Sequence, residues 1–151
     1  MLVAYDASAE AQAAVREAVG LFGDRPLLVI SVWEPGLATA FVPPPGDPGY
    51  MYVPDPADVA AIDRAQSGHA AEVAEAGARL ARELGATAEA LAVPDAVDVA
   101  ETLVSVAEDR DARAIVVGSR GLGGFKSRVL GSTSRKLLHD THRPVLVVRS
   151  P

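Results

Sequence analysis

The feature that most constrains the fold of this chain is a set of short segments in which nearly every residue is apolar. Such runs occur at Leu2–Tyr5, Pro26–Trp33, Ala114–Val117 and Val145–Val148. A strand with one solvated face alternates apolar and polar residues, whereas a strand of a parallel sheet is covered on both faces and is apolar throughout. The runs therefore predict buried parallel strands. Thr87–Val93 is predicted as a fifth strand, with a lower β propensity than the other four.

Helical periodicity fills the intervals between these runs. Ser8, Asp55 and Asp98 are good N-cap residues, and apolar side chains recur after each at the spacing of one helix face. We expect the first helix to run to about Val19 and to be terminated by Gly20 and Gly23, and the second to run to about Leu84. The last helix should span about residues 132–140, where Ser132 can cap the helix, bind phosphate or do both. The D-x-x-E sequence at 98–101 is a variant of the capping box. The alternation of strands and helices predicts one doubly wound α/β domain over residues 1–151.

The second helix carries two glycines, Gly68 and Gly77, each of which should weaken it by about 1 kcal/mol relative to alanine. It should therefore depend on tertiary packing. Its spacing predicts an inward face made of Val59, Ile62, Ala65, Val73, Ala76, Leu80 and Leu84.

Composition excludes several classes of protein. The 151 residues include no cysteine and only three histidines, which argues against disulfide scaffolds, thiol nucleophiles and zinc sites. The net charge of −6 argues against nucleic acid as a partner. We expect a cytoplasmic protein, because neither a signal peptide nor a membrane-spanning run is apparent. Seven of the eleven prolines fall in residues 35–56, which predicts a long loop there.

The stretch from Gly118 to Ser134 has the composition of a phosphate site. A buried strand enters a loop containing Gly121, Gly123 and Gly124, and a helix start follows at Gly131. Backbone N–H groups and the helix dipole at such a junction favour an anion. Asp6 ends the first strand, and if the two strands are neighbours at the switch point it faces the same crevice. Basic residues surround the loop, namely Arg120, Lys126, Arg128, Arg135 and Lys136.

The glycines also form a recognisable motif. Gly118-x2-Gly121, nine further residues and Gly131-Ser132 match G-x2-G-x9-G-[ST], which resembles the ATP-binding motif of the universal stress protein family. The likeness extends to the opening strand that ends in Asp6 and to the closing strand with its RPVLVVR sequence. The resemblance implies a Rossmann-like fold of the adenine nucleotide alpha hydrolase type, with five parallel strands in the order 3-2-1-4-5 and helices on both faces.

The resemblance further implies an ATP-binding regulator or sensor of the stress response, with or without Mg²⁺, and with no or weak hydrolysis. Asp6 would lie near ribose and phosphates, the backbone of Val32 would contact adenine, and a homodimer would form through Val145–Val148. No nucleic acid or membrane partner is implied. The nucleotide-binding set comprises Ala4, Tyr5, Asp6, Val32, Val117, Gly118, Arg120, Gly121, Gly131, Ser132, Thr133 and Ser134.

Two positions depart from the family's pattern, and two other functions stay open. Ala7 stands where many relatives carry glycine, and Trp33 is bulky beside the expected adenine contact. A slow ATPase or other nucleotide-using enzyme is one alternative, although the Walker lysine of G-x-x-x-x-G-K-[ST] is absent from the sequence. A structural dimer of the same family that binds no nucleotide is the other, and the intact glycines and Ser132 argue against it.

Overall fold

A computed structural model of the chain describes residues 1–36, 55–95, 97–119 and 130–150. The described strands are β1 (Leu2–Ala4), β2 (Leu27–Trp33), β3 (Ala88–Pro94), β4 (Ile115–Gly118) and β5 (Val145–Val148). The described helices are α1 (Ala9–Phe22), α2 (Pro56–Glu83), α3 (Val99–Asp109) and α4 (Ser132–Asp140). All pairings are parallel and the strand order is β3-β2-β1-β4-β5, so the predicted fold class and order are confirmed.

The first strand lies at the centre of the sheet. Val3 is the register partner of Val29 in β2 and of Val116 in β4. The chain builds outwards from β1 to β3 and then returns to the opposite side of β1 to form β4 and β5. The strand order therefore reverses between β1 and β4, and their carboxyl ends form the switch point where ligands bind in open α/β sheets.

Helices cover both faces of the sheet, as the continuous apolar runs predicted. Val3, Val29 and Val116 share one core cluster with residues of α1 and α2, and none of the three is exposed. The opposite face, which includes Leu2 and Ile115, packs in a second cluster with residues of α3 and α4. Within the described residues, no helix is both long enough and apolar enough to cross a membrane.

The inward face predicted for α2 is confirmed only in part: Val73 and Leu80 are partly buried and pack against the core cluster on this side of the sheet. None of the seven apolar residues selected by spacing is fully buried, and Ile62 and Leu84 are exposed. The sheet side is mostly a row of small residues, because a helix of 28 residues that lies close to β2 and β3 has little room for branched side chains. The buried positions of α2 are Ala70, Ala74, Gly77, Ala78 and Ala81.

Gly77 allows this close approach. An added Cβ atom there would lie 2.7 Å from Cγ of Tyr5 and 2.8 Å from Cγ1 of Val29, far inside van der Waals contact. Gly68, by contrast, is exposed and has open space where a Cβ would be added. The two glycines of α2 therefore have different effects. Gly68 only lowers the helix propensity, whereas Gly77 also leaves room for Tyr5 and Val29.

The first helix is longer than its periodicity predicted. It continues through Gly20 to Phe22 and ends at the C-cap Gly23, not near Val19. A single glycine inside a helix weakens it without ending it, and the turn after Ala18 begins with Val19, which packs against the core.

Candidate functional site

The carboxyl ends of β1 and β4 open onto one crevice. Because Val3 pairs with Val116, Asp6 and Ser119 each lie three residues beyond that pair along adjacent parallel strands. The two polar strand ends that the sequence singled out, at Asp6 and Gly118, therefore leave the sheet side by side, as predicted.

A tight turn positions Asp6 at this edge. The backbone N–H of Ser8 donates to Oδ1 of Asp6 at 3.0 Å, and the hydroxyl of Ser8 accepts from the N–H of Ala11 at 3.1 Å to cap α1. Between them Ala7 has a φ of 64°, in the left-handed region where a residue with a Cβ is disfavoured by roughly 1–2 kcal/mol. The Asp6 carboxylate is half-buried and held at the mouth of the crevice by this turn.

The backbone of Val32 faces the crevice as well. The N–H of Leu28 donates to the Met1 carbonyl at 2.8 Å, and the Ile30 carbonyl accepts from the N–H of Tyr5 at 2.8 Å. Peptide groups alternate sides along a strand, so those of even-numbered residues in β2 point toward β1. Val32 is the next in this series and lies past the end of β1 at Ala4. Its N–H and carbonyl therefore point to the side of β2 on which the crevice lies.

The segments that flank residues 120–129 are fastened to each other. The N–H of Ser119 donates to the Val148 carbonyl at 2.6 Å, and the N–H of Gly131 donates to the Ser119 carbonyl at 2.8 Å. The Ser134 hydroxyl, which is buried, donates to the Gly118 carbonyl at 2.8 Å. These bonds place the start of α4 directly at the end of β4.

The N-terminus of α4 differs from those of the other described helices. Side chains of Ser8, Asp55 and Asp98 cap α1, α2 and α3, as the sequence predicted. In α4 the N-cap is Gly131 and Ser132 is the first helical residue, so the predicted span of 132–140 is confirmed and Ser132 does not cap the helix. No side chain of the described residues caps α4.

The first N–H groups of a helix have no partner inside it, so those of Ser132, Thr133 and Ser134 are available to an anion. The hydroxyls of Ser132, which is exposed, and Thr133, which is half-buried, can add to them. The Ser134 hydroxyl is already occupied by Gly118, which leaves its N–H as its contribution to this end of the helix.

The other predicted site residues differ in what they can offer. The side chains of Tyr5 and Val117 belong to the two core clusters, so these residues can present only backbone atoms to a ligand. Ala4 is half-buried and packs against the cluster on the α3 side. Arg120 and Gly121 lie outside the described residues, as do Gly123, Gly124, Lys126 and Arg128.

One basic residue near the crevice is already paired. Nζ of Lys136 lies 2.7 Å from Oε1 of Glu101 and also contacts Oδ2 of Asp98. These hydrogen bonds raise the pKa of Lys136, and the bond to Lys136 is the largest cause that lowers the pKa of Asp98. Glu101 therefore faces Lys136, where a capping box would direct it to the backbone of Asp98. Sequence reasoning missed this cluster, because Asp98 and Lys136 are 38 residues apart and no local pattern joins them.

Comparison with known proteins agrees with this architecture. The model of the universal stress protein family matches residues 1–149. The chain belongs to this family. A universal stress protein of Mycolicibacterium smegmatis is 36% identical over 153 residues, which cover 98% of this chain and 47% of that protein. The chain thus spans about half the length of that relative.

Solved structures of the family share the fold at lower identity. UspA of Lactobacillus plantarum is 19% identical with a TM-score of 0.73, over 98% of this chain and 95% of that one. The universal stress protein of Archaeoglobus fulgidus was solved with dAMP (22% identical, TM-score 0.60, 97% and 94% covered). A family member from Arabidopsis thaliana, solved with AMP, is 18% identical with a TM-score of 0.62, over 99% of this chain and 90% of that one. Another universal stress protein, solved with cAMP, is 23% identical with a TM-score of 0.66, over 99% of this chain and 96% of that one.

Proposed function

We propose that this protein binds an adenine nucleotide, namely ATP, and acts as a nucleotide-dependent regulator or sensor in a stress response. The observation that carries the proposal is the meeting of three elements at one sheet edge: the Asp6 turn, the backbone of Val32 and the α4 N-terminus, which no described side chain caps. Membership of the family, whose solved members include complexes with AMP, dAMP and cAMP, supports adenine as the base.

The three elements match the three parts of such a ligand. The N–H and carbonyl of Val32 would pair with the polar edge of adenine, and the Asp6 carboxylate would accept hydrogen bonds from ribose hydroxyls. The N–H groups of Ser132, Thr133 and Ser134 would bind phosphate, helped by a helix dipole worth about 0.3–1 kcal/mol per charge. Gly118, Gly121 and Arg120 would line the ribose and phosphates.

We favour binding over phosphoryl transfer. Transfer requires a positioned nucleophile and strong stabilisation of the transferring group, usually by metal and a fixed cation. The sequence has no lysine directly after its glycines, and Lys136 is held by two carboxylates of α3. In this proposal ATP binding changes the surface that the protein offers to partners. The proposed setting is a cytoplasmic homodimer joined through Val145–Val148, with residues 1–151 as one domain.

Isothermal titration calorimetry with ATP, AMP and cyclic AMP tests nucleotide binding. We expect a micromolar or tighter dissociation constant for ATP. At a hundredfold excess over that constant, ATP should raise the melting temperature by about 5–10 °C. Gly131→Val should abolish both effects, because side-chain atoms would fill the space beside the phosphates. Gly68→Ala is the matched control, since Gly68 is exposed on α2 with open space around it.

Mass spectrometry of the protein purified without added nucleotide would identify a ligand that it retains from the cell. Absence of both heat and thermal shift with all three nucleotides would refute nucleotide binding. Turnover of tens per second that is lost in Asp6→Ala would refute the sensor role in favour of an enzyme.

A further inference from the structure

Carboxylates around Lys136 join the start of α3 to the middle of α4. Lys136 lies on α4, one turn beyond the N–H groups that face the crevice. Its Nζ atom contacts Oδ2 of Asp98 and lies 2.7 Å from Oε1 of Glu101, both at the start of α3. Asp140, four residues further along α4, is 3.8 Å away.

Asp98 serves both helices at once. Its Oδ1 atom accepts from the N–H groups of Ala100 at 2.9 Å and Glu101 at 3.0 Å, which caps α3, while Oδ2 contacts Lys136. The carboxylate that fixes where α3 begins is therefore the one that receives the α4 side chain. A displacement of either helix would break bonds in the other.

The same turn of α3 is tied to the end of β2. The hydroxyl of Thr102 donates to Oδ1 of Asp95 at 3.2 Å, and the N–H of Asp95 donates to the carbonyl of Trp33 at 2.7 Å. The N–H of Thr102 donates in turn to the carbonyl of Asp98 at 3.0 Å. A continuous set of polar contacts thus runs from the residue after Val32, across α3, to Lys136 on α4.

We propose that Lys136 is a positioning residue that orients the anion-binding end of α4, and that it is not itself the cation that contacts phosphate. This inference rests on the proposed nucleotide site. A helix of nine residues is fixed to the sheet by the Ser134 hydroxyl and by Leu137 in the core. The Lys136 contacts lie outside that core. They set the orientation of the helix about those two contacts, and therefore the direction in which its first N–H groups point.

If Lys136 contacted phosphate directly, ATP affinity would respond to the loss of Asp98 or Glu101 in the opposite direction. To reach phosphate, Lys136 would have to leave the carboxylates of Asp98 and Glu101, so removing one of them should release it. The alternatives therefore predict changes of opposite sign for Glu101→Ala. Positioning predicts weaker ATP binding, whereas direct contact predicts tighter binding, since a negative charge has also been removed near the phosphates.

Calorimetry of ATP and adenosine against Glu101→Ala and Lys136→Met, with melting temperatures measured in parallel, tests the proposal. Both variants should bind ATP about tenfold more weakly, the scale of losing a well-aimed helix N-terminus. Adenosine affinity should change by about twofold or less, because adenosine has no phosphate to place. A role confined to folding would lower the melting temperature and weaken both ligands alike, which would overturn the proposal.

Two further variants complete the test. Lys136→Arg keeps the charge and the reach to the carboxylates and should bind ATP within about threefold of wild type. Arg82→Met removes an exposed ion pair of α2, in which Arg82 lies 2.6 Å from Glu75, and should leave ATP affinity unchanged.

Tighter or unchanged ATP binding in Glu101→Ala, or a Lys136→Arg affinity as low as that of Lys136→Met, would overturn the role of Lys136 alone. A wild-type protein that binds no ATP would instead refute the nucleotide site on which this role depends.

Discussion

Gly77 and Gly68 occupy the same helix, yet replacing each by alanine should change stability in opposite directions. In an exposed helix interior, glycine to alanine raises the free energy of unfolding by about 1 kcal/mol. Gly68 meets these conditions, since it is exposed and its added Cβ would have no atom within 4 Å. Gly68→Ala should therefore raise the melting temperature by about 2–4 °C in a domain of this size.

At Gly77 the same gain is outweighed by overlap. The added Cβ would lie 2.7 Å from Cγ and 2.8 Å from Cδ1 of Tyr5, and 2.8 Å from Cγ1 of Val29. These distances are roughly 1 Å shorter than the optimum for carbon atoms of about 3.5–4.0 Å. Both neighbours are buried, at 7% and 0% exposure, so neither can move aside into solvent.

Overpacking of a filled core costs about 1–3 kcal/mol, and overlap with two side chains places this case at the upper end. Subtracting the propensity gain leaves a net loss of about 1–2 kcal/mol for Gly77→Ala, a fall in melting temperature of about 3–6 °C. Thermal and urea unfolding followed by circular dichroism would measure both variants against wild type.

A double-mutant cycle locates the cause of the loss. Tyr5→Ala removes the Cγ and Cδ1 atoms that the new methyl group would meet, so Gly77→Ala should be less harmful in that background than alone. If Gly77→Ala proves as stable as Gly68→Ala, or if its loss persists unchanged in the Tyr5→Ala background, contact with Tyr5 does not limit this position.

Residues near the crevice give further predictions. Ala7→Gly should stabilise the protein by about 0.5–1 kcal/mol by relieving the left-handed conformation at φ 64°, and a loss of stability in urea would contradict this. Burial raises the pKa of the Tyr5 phenol, so its contribution is fully present below the unfolded pKa of about 10 and is lost as pH rises through the higher folded value. Tyr5→Phe should accordingly flatten the alkaline part of the stability profile, and parallel urea profiles of the two proteins would show that the phenol does not titrate in this way. Ser134→Ala should lose about 1–2 kcal/mol because the buried Gly118 carbonyl loses its donor. The exposed Ser132→Ala should stay within about 0.5 kcal/mol, and equal thermal losses for the two serines would argue against that bond.

Much of the architecture could be predicted because local patterns encode it. Apolar runs marked strands that are covered on both sides, and Ser8, Asp55 and Asp98 marked helix starts at positions where the structure has them. The glycine motif located the junction of β4 and α4, and the resemblance it carries agrees with the matched family. These signals act over a few residues of chain, which is why they can be read without knowing the fold.

The α2 face shows where periodicity stops being informative. The helix has more apolar positions than one face needs, and the spacing included large residues, such as Ile62 and Leu84, that are exposed. The space available between α2 and the sheet decided for alanine and glycine at the buried positions, and that space depends on the ring of Tyr5, the residue after β1. No window of the α2 sequence contains this information.

By itself, the sequence determined the strand–helix order, the N-cap residues of three of the four described helices and the motif that identifies the family. Tertiary structure alone decided which charges and hydroxyls near α4 are committed elsewhere. Lys136 reaches Asp98 across 38 residues, and the Ser134 hydroxyl reaches Gly118 across 16, so both bonds exist only after α3, β4 and α4 have packed together. Packing therefore decides that Ser134 and Lys136 of α4 direct their side chains to Gly118 and to the start of α3, which residue type alone does not determine.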